Sequence, residues 1–319
     1  MNRRNNRADL AAARGPLPAA RVAAWSALAL DRALTASAEL LVAHLEDEAV
    51  LLGAFQRASE VEGLLPLLPR LRRGSGGAAV RVGPGTIYVG LALAHPSALV
   101  PAREDQILNR YVRPILRALA RQGVLAHYFG RDWISVAKAP AALISFAHDA
   151  GSGRALVEAF VATEAPFSLG PRPSYLGKEP GTCAELSGKH VQDARFSEAL
   201  IEAYGELLPG GEGLSELAVA GDEAAFVGAD EAWERRIDEA LGPIFSGRDG
   251  RGAWRLGGEL VASRDAVGSM EEGLLALGPA PSPEEVGALA FATLAAPGVA
   301  LFGVKSLSSI RDLLVGRSA

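Results

Sequence analysis

Apolar positions along this chain recur with two periods. Between residues 23 and 46 they fall at helical spacing (Trp25, Leu28, Leu30, Leu34, Leu40, Leu41, Leu45) and predict one or two amphipathic helices. Glu104–Gln122 predicts another helix, with Ile107, Tyr111, Ile115 and Leu119 on one face; Pro114 inside it requires either a kink or a fresh helix start. Short apolar and β-branched runs predict strands at Ala49–Gly53, Thr86–Ala94, Val124–Phe129, Trp133–Val136, Ala142–Ala147 and Ala155–Thr163, the last two joined by a His148–Gly153 turn. After a Pro- and Gly-rich stretch at Pro166–Pro180, Phe196–Leu208 predicts a helix, and short elements of both kinds alternate from Glu216 to the end. Strands grouped between helices in this order predict an α+β fold rather than a doubly wound one. The expected division is a flexible lead-in over residues 1–20, a main domain over 21–208 and a small α+β domain over 209–319, with the boundary at Pro209–Gly213.

Composition narrows the partners. Hydrophobic residues make up 49% and charged residues 22% of 319, as in ordinary globular chains. With 32 Lys and Arg against 37 Asp and Glu the net charge is −5, so no global basic field favours nucleic acid and any anion site is local. No apolar run approaches the roughly 20 residues of a membrane span. No signal-peptide pattern follows the basic start, and a single cysteine, Cys183, excludes an internal disulfide and a cysteine-based metal cluster, so a cytoplasmic location is expected. The histidines show no metal-ligand spacing.

The candidate chemistry lies in Arg72-Arg-Gly-Ser-Gly-Gly-Ala-Ala-Val-Arg-Val-Gly-Pro-Gly-Thr86. Gly76 and Gly77 allow the backbone to approach a ligand, and successive N–H groups in such a turn can converge on an anion. Arg72 and Arg73 supply forked donors suited to phosphate or carboxylate, Ser75 adds a hydroxyl, and Gly83–Gly85 offers a second tight turn expected near the same place. A dinucleotide loop would open a helix; here a predicted strand follows.

This segment resembles the signature of the lipoate–protein ligase, biotin–protein ligase and octanoyltransferase superfamily: Arg-Arg, any residue, Ser-Gly-Gly-Gly-Ala-Val, then about four residues, Gly and Asn. Arg72, Arg73, Ser75, Gly76, Gly77, Ala79, Val80 and Gly85 match in register. Ala29–Leu34 looks like the family's first helix, Val50–Gln56 like its strand ending in Gly-x-x-Gln, Asn109–Leu116 like the helix after the motif and Phe129–Arg131 like the approach to its lysine hairpin. The C-terminal Gly257–Ala262 and the short helix candidate Met270–Leu277 look like part of the accessory domain.

The resemblance implies a class II ligase/biotin synthetase-like mixed sheet flanked by helices. It also implies a reaction: ATP and Mg2+ convert lipoate or another carboxylic acid to an acyl-adenylate, and the acyl group passes to a lysine of a lipoyl- or biotinyl-type carrier domain. Arg72, Arg73, Ser75, Gly76, Gly77, Ala78, Gly85 and Thr86 would hold the acyl-phosphate, and Lys138 would stabilise its charge, with Arg131 and Asp132 nearby. Lys138 is the only lysine before Tyr175, in a domain that otherwise uses arginine. Several positions depart from the pattern: Ala78 replaces the third Gly, Val82-Gly83 a His-Asp pair, Thr86 the closing Asn, Asp132-Trp133 an Asn-Asp pair, and Ala141 a Gly. Two other readings stand beside the ligase. One is octanoyl or lipoyl transfer from an acyl carrier without ATP, for which Cys183 at a helix start is the candidate thiolate. The other is a non-catalytic relative that binds an acyl group, a nucleotide or a carrier domain.

Overall fold

The computed structural model describes residues 8–316 except 62, 210–212, 222, 225, 229–232 and 279. Its elements run β1 (Leu10–Leu17), α1 (Ala19–Leu28), β2 (Ala38–Leu45), β3 (Ala49–Leu52), β4 (Arg70–Arg72), β5 (Val80–Val82), β6 (Thr86–Leu93), α2 (Ile107–Tyr111), α3 (Arg113–Arg121), β7 (Ala126–Tyr128), β8 (Trp133–Val136), β9 (Ala139–His148), β10 (Ala155–Ala162), α4 (Cys183–Ser187) and α5 (Asp193–Gly205). Then follow β11 (Leu214–Glu216), β12 (Arg235–Asp238), β13 (Pro243–Arg248), β14 (Trp254–Gly258), β15 (Val261–Ala262), α6 (Arg264–Leu277), α7 (Pro283–Leu294), β16 (Leu301–Phe302) and α8 (Leu307–Val315).

An eight-stranded mixed sheet, in the order β11-β1-β2-β6-β10-β9-β8-β7, forms the body of the molecule. Side chains alternate across it with period two. From β6, Ile87, Val89, Leu91 and Leu93 enter a core shared with α2, α3 and α5. Tyr88 and Ala92 enter the opposite core with α1 and a small sheet, β4-β3-β5. Both faces are covered, so every residue of β6 is buried and the strand reads in sequence as an unbroken apolar run.

The same double burial explains where sequence and structure differ. Residues 38–45 form β2 rather than a second helix, because Leu40 and Val42 serve one core and Leu41 and Ala43 the other. Pro114 starts a new helix, in the first turn of α3. The expected lead-in contains β1, which pairs in parallel with β2 along its whole length. Beyond the expected boundary the chain first returns to the main sheet, where Leu214–Glu216 pair with Leu10–Ala12. The compact second unit begins near Arg235: β12-β13-β14 carries α6, α7 and α8 over a core of its own.

That unit is seated on the main one by directed bonds. His148 Nδ1 lies 3.1 Å from Ser263 Oγ, the Ala150 and Gly151 N–H groups donate to the Asp265 carboxylate at 3.0 Å each, and Gly258 N–H donates to Phe55 C=O at 2.9 Å.

Beneath the small sheet, Trp25, Tyr88 and Phe160 form a chain of aromatic contacts, with centroids 6.2 and 5.4 Å apart. Gly90 makes room for them, since a methyl group there would collide with Tyr88 and Trp25. Gly90→Ala is expected to cost about 1–3 kcal/mol, the usual range for overpacking, read as a lower urea midpoint with an unchanged m-value.

Candidate functional site

The glycine loop connects β4 to β5 and is held mainly by one side chain. Arg73 is buried, and its guanidinium donates to Ser75 Oγ (3.0 Å), Leu51 C=O (3.0 Å), Gly76 C=O (2.6 Å) and Ala78 C=O (2.7 Å). Arg72 points the other way and donates to the carbonyls of Gly53, Ala54 and Gln56. Both arginines therefore bind main-chain carbonyls. Gly77 has φ +79°, and a methyl group on Gly76 would collide with Leu260 C=O of the second unit. This close approach lets Gly77 N–H donate to Leu260 C=O at 2.8 Å.

Other loop amides are occupied too. Gly74 N–H donates to Ser26 Oγ at 2.7 Å, and Ser75 N–H to Glu158 Oε2 at 3.1 Å. Glu158 lies mid-strand in β10, fully buried; its other oxygen accepts the Tyr88 phenol at 2.8 Å, and Arg73 Nε lies 4.0 Å from Oε2. Burial pushes the Arg73 guanidinium down to about 10, with Glu158 opposing the fall, so it stays charged at neutral pH. Burial and the neighbouring Glu158 charge raise Tyr88 well above the phenol's ordinary value, so it remains a donor.

The remaining sequence candidates are dispersed. Gly85 (φ +89°) and Thr86 lie at the other end of β3: Gly77 adjoins Gly53 just past that strand, whereas Gly83 abuts Glu48 ahead of it, and Gly85 C=O accepts from Thr163 and Glu164. The two glycine turns are thus not neighbours. Lys138 occupies the exposed tip of the β8–β9 hairpin, with φ +70°, and its carbonyl accepts from Lys178 Nζ at 2.7 Å. The β9 residue that touches the loop is Ser145, whose hydroxyl donates to Gly76 C=O. It lies seven positions along the strand from Lys138, roughly 23 Å at strand rise.

Arg131 is half-buried ahead of β8. Asp132 is buried and accepts Arg172 Nη1 at 2.6 Å. Cys183 is buried at the start of α4, and burial pushes its thiol up to about 12. A thiol so buried and shifted in that direction is poorly placed for the thioester route.

Arg172 is the hub of the seam between the units. It bridges Asp132, Glu259 (2.5 Å) and Leu241 C=O (3.0 Å). Burial works against its charge, but the two carboxylates outweigh that and hold the guanidinium above its ordinary value. Beside it lies a cavity of about 250 Å³ lined in part by Gln56, Glu60, Ala78, Ala79, Arg172 and Glu259. Gly170 and Pro171 also border a second cavity, of about 320 Å³, which Lys178 lines. Glu60 is pushed up to about 7, chiefly by burial, although it accepts from Arg57 N–H, Trp233 Nε1 and Gln56 Nε2.

Glu158, Arg172, Glu259 and Glu60 went unrecognised in the sequence. For Glu158 a signal existed: it is the one charge within the apolar run Ala155–Ala162. A charge there must be paired inside the protein.

Neither a family model nor a curated protein matches the chain. Solved structures do. Plasmodium falciparum LipL1 in complex with lipoate superposes with a TM-score of 0.62 over 96% of this chain and 99% of that one, at 11% identity. A lipoate–protein ligase A bound with ATP gives 0.49, 66%, 87% and 14%; Thermoplasma acidophilum Ta0514, a putative lipoate protein ligase with bound lipoic acid, gives 0.48, 66%, 90% and 14%. The class is that of α+β proteins with a large mixed sheet flanked by helices. This chain has the fold of that LipL1 structure over 96% of its length. At these identities the fold is what is shared. Among the described residues, no helix is long and apolar enough to cross a membrane.

Two outcomes test the site. Iodoacetamide is expected to leave Cys183 unmodified in the native protein at pH 8 and to label it fully in denaturant; labelling of the native chain would contradict its burial. Because Lys138 holds a left-handed conformation that disfavours a side chain, Lys138→Gly is expected to hold or raise the thermal midpoint. A fall in that midpoint would show that the ammonium has a structural role.

Proposed function

We propose that this chain is a protein-acylating ligase: with ATP it activates a small carboxylic acid of the lipoate or octanoate type as an acyl-adenylate, then transfers the acyl group to a lysine of a lipoyl-type carrier domain. The observation that carries this reading is the position of the glycine loop. The segment singled out by its Arg-Arg-x-Ser-Gly-Gly pattern lies where the second unit closes on the main sheet, in a fold that superposes end to end on a lipoate-complexed structure.

The resting arrangement does not fit a nucleotide's phosphates. Loop amides at Gly74, Ser75 and Gly77 and the guanidinium of Arg73 are engaged by the protein's own acceptors. Among the described residues no group of three or more His, Cys, Asp or Glu side chains is placed to hold a metal ion. The chain's own residues have definable tasks: Arg73 shapes the loop, Leu260 closes it from the second unit, and Lys138 and Lys178 place two ammonium groups on neighbouring loops. For Lys138 to bear on an acyl-phosphate at the loop, the ligand must extend along β9 or the hairpin must move.

The engaged amides favour a second reading, a non-catalytic relative that binds a carrier domain through the same fold. Pyrophosphate–ATP exchange assayed with lipoate, octanoate and biotin separates the two. The ligase is expected to give exchange with at least one acid, and Lys138→Ala to lower it by about 10²–10³-fold, the scale for losing one charge-stabilising group. No exchange with any acid, together with measurable binding of a lipoyl domain, would establish the second reading.

A further inference from the structure

The glycine loop is shaped as an anion site, and it already contains an anion. Glu158 and Ser145 are register partners on β10 and β9 and face the loop together. One Glu158 oxygen takes the Ser75 N–H, the other takes the Tyr88 phenol, and the Arg73 guanidinium lies alongside. A phosphate oxygen would seek the same environment: a main-chain N–H in a glycine turn, a hydroxyl donor and a guanidinium, away from water. The carboxylate is acceptor-only, as a phosphate is, and it neutralises Arg73. A further anion would add an uncompensated charge in a dry site, where like charges repel strongly.

We infer that Glu158 is the resident anion of the glycine loop and determines its specificity: while this carboxylate is seated the loop takes no phosphate, and a phosphate-bearing ligand enters only by displacing it. The inference rests on the preceding assignment of the loop as the ligand's anion site. It adds a residue outside the loop that decides which state the loop is in. Removing the carboxylate leaves the Arg73 charge unpaired beside a space about the size of the lost group, which an external anion can fill.

The test uses inorganic pyrophosphate and the full chain. In Glu158→Ala, pyrophosphate is expected to raise the thermal midpoint and to bind at least about tenfold more tightly by calorimetry than in the unsubstituted protein. The isosteric Glu158→Gln serves if the alanine variant does not fold. Independently of any variant, amide exchange at Ser75 in the unsubstituted chain is expected to be slow and unchanged by millimolar pyrophosphate. Equal affinities in both proteins, or a Ser75 amide that exchanges fast in the unsubstituted chain without pyrophosphate, would overturn the inference. Gained pyrophosphate binding with no exchange activity in any form would keep the inference and count against the ligase. Exchange activity in the unsubstituted chain that Glu158→Gln leaves unaltered would do the reverse.

Discussion

A guanidinium sealed from water carries a desolvation cost of several kcal/mol, so Arg73 can be buried only if its N–H groups find acceptors and its charge a partner. The structure meets both conditions with groups from four parts of the chain. Leu51 lies on β3, Ser75, Gly76 and Ala78 on the loop itself, and Glu158 on the central strand β10, with Tyr88 of β6 holding the far oxygen. Removing either ion typically costs 3–5 kcal/mol, because the other is left buried and alone. The small sheet is thereby fixed onto the large one. The loop conformation that results presents Gly76 and Gly77 to Leu260, which is where the second unit closes. The Gly77–Leu260 contact between the units thus rests on the charge pair beneath the loop.

Much of this frame was legible in the sequence, and the exceptions share a cause. Thr86–Leu93, Trp133–Val136 and Ala155–Ala162 were readable as strands because β-branched and aromatic residues crowd them. Residues 38–45 were not, since a strand buried on both faces loses its alternation and its leucines also satisfy a helical template. β1 was hidden for a different reason: three alanines, a Gly and a Pro give it little strand character, and its pairing with β2 and β11 holds it in place. Beyond Pro209 the sequence offered few distinct signals, chiefly around Gly257–Ala262 and Met270–Leu277, and the return of β11 to the main sheet carried none.

At the site, local signals were readable and distant ones were not. The glycines announced a loop of close approach; the paired arginines were read as donors for an anionic ligand, whereas both bind main-chain carbonyls. The acceptors that use those arginines lie up to 85 residues away on other strands, and the Ser75–Glu158 bond alone spans 83 positions. No spacing rule links such positions. What the sequence did contain was isolated charge within apolar strands, at Glu39 and Glu158, and each proves to be buried and bonded. Cys183 illustrates the reverse: its place at a helix start suggested reactivity, but a helix N-terminus cannot lower a thiol's pKa when burial dominates.

Charge neutrality is the common feature of the two polar centres. Under the loop, Glu158 balances Arg73; at the seam, Asp132 and Glu259 more than balance Arg172, with Glu60 on the same cavity wall. Neither centre presents a standing positive charge to attract an anion. On the exchange proposed above, an anionic ligand's binding energy is the difference between two ion pairs rather than the gain of one. The ion pair at the seam and the contact with the glycine loop are held by adjacent residues, Glu259 and Leu260, of one short segment.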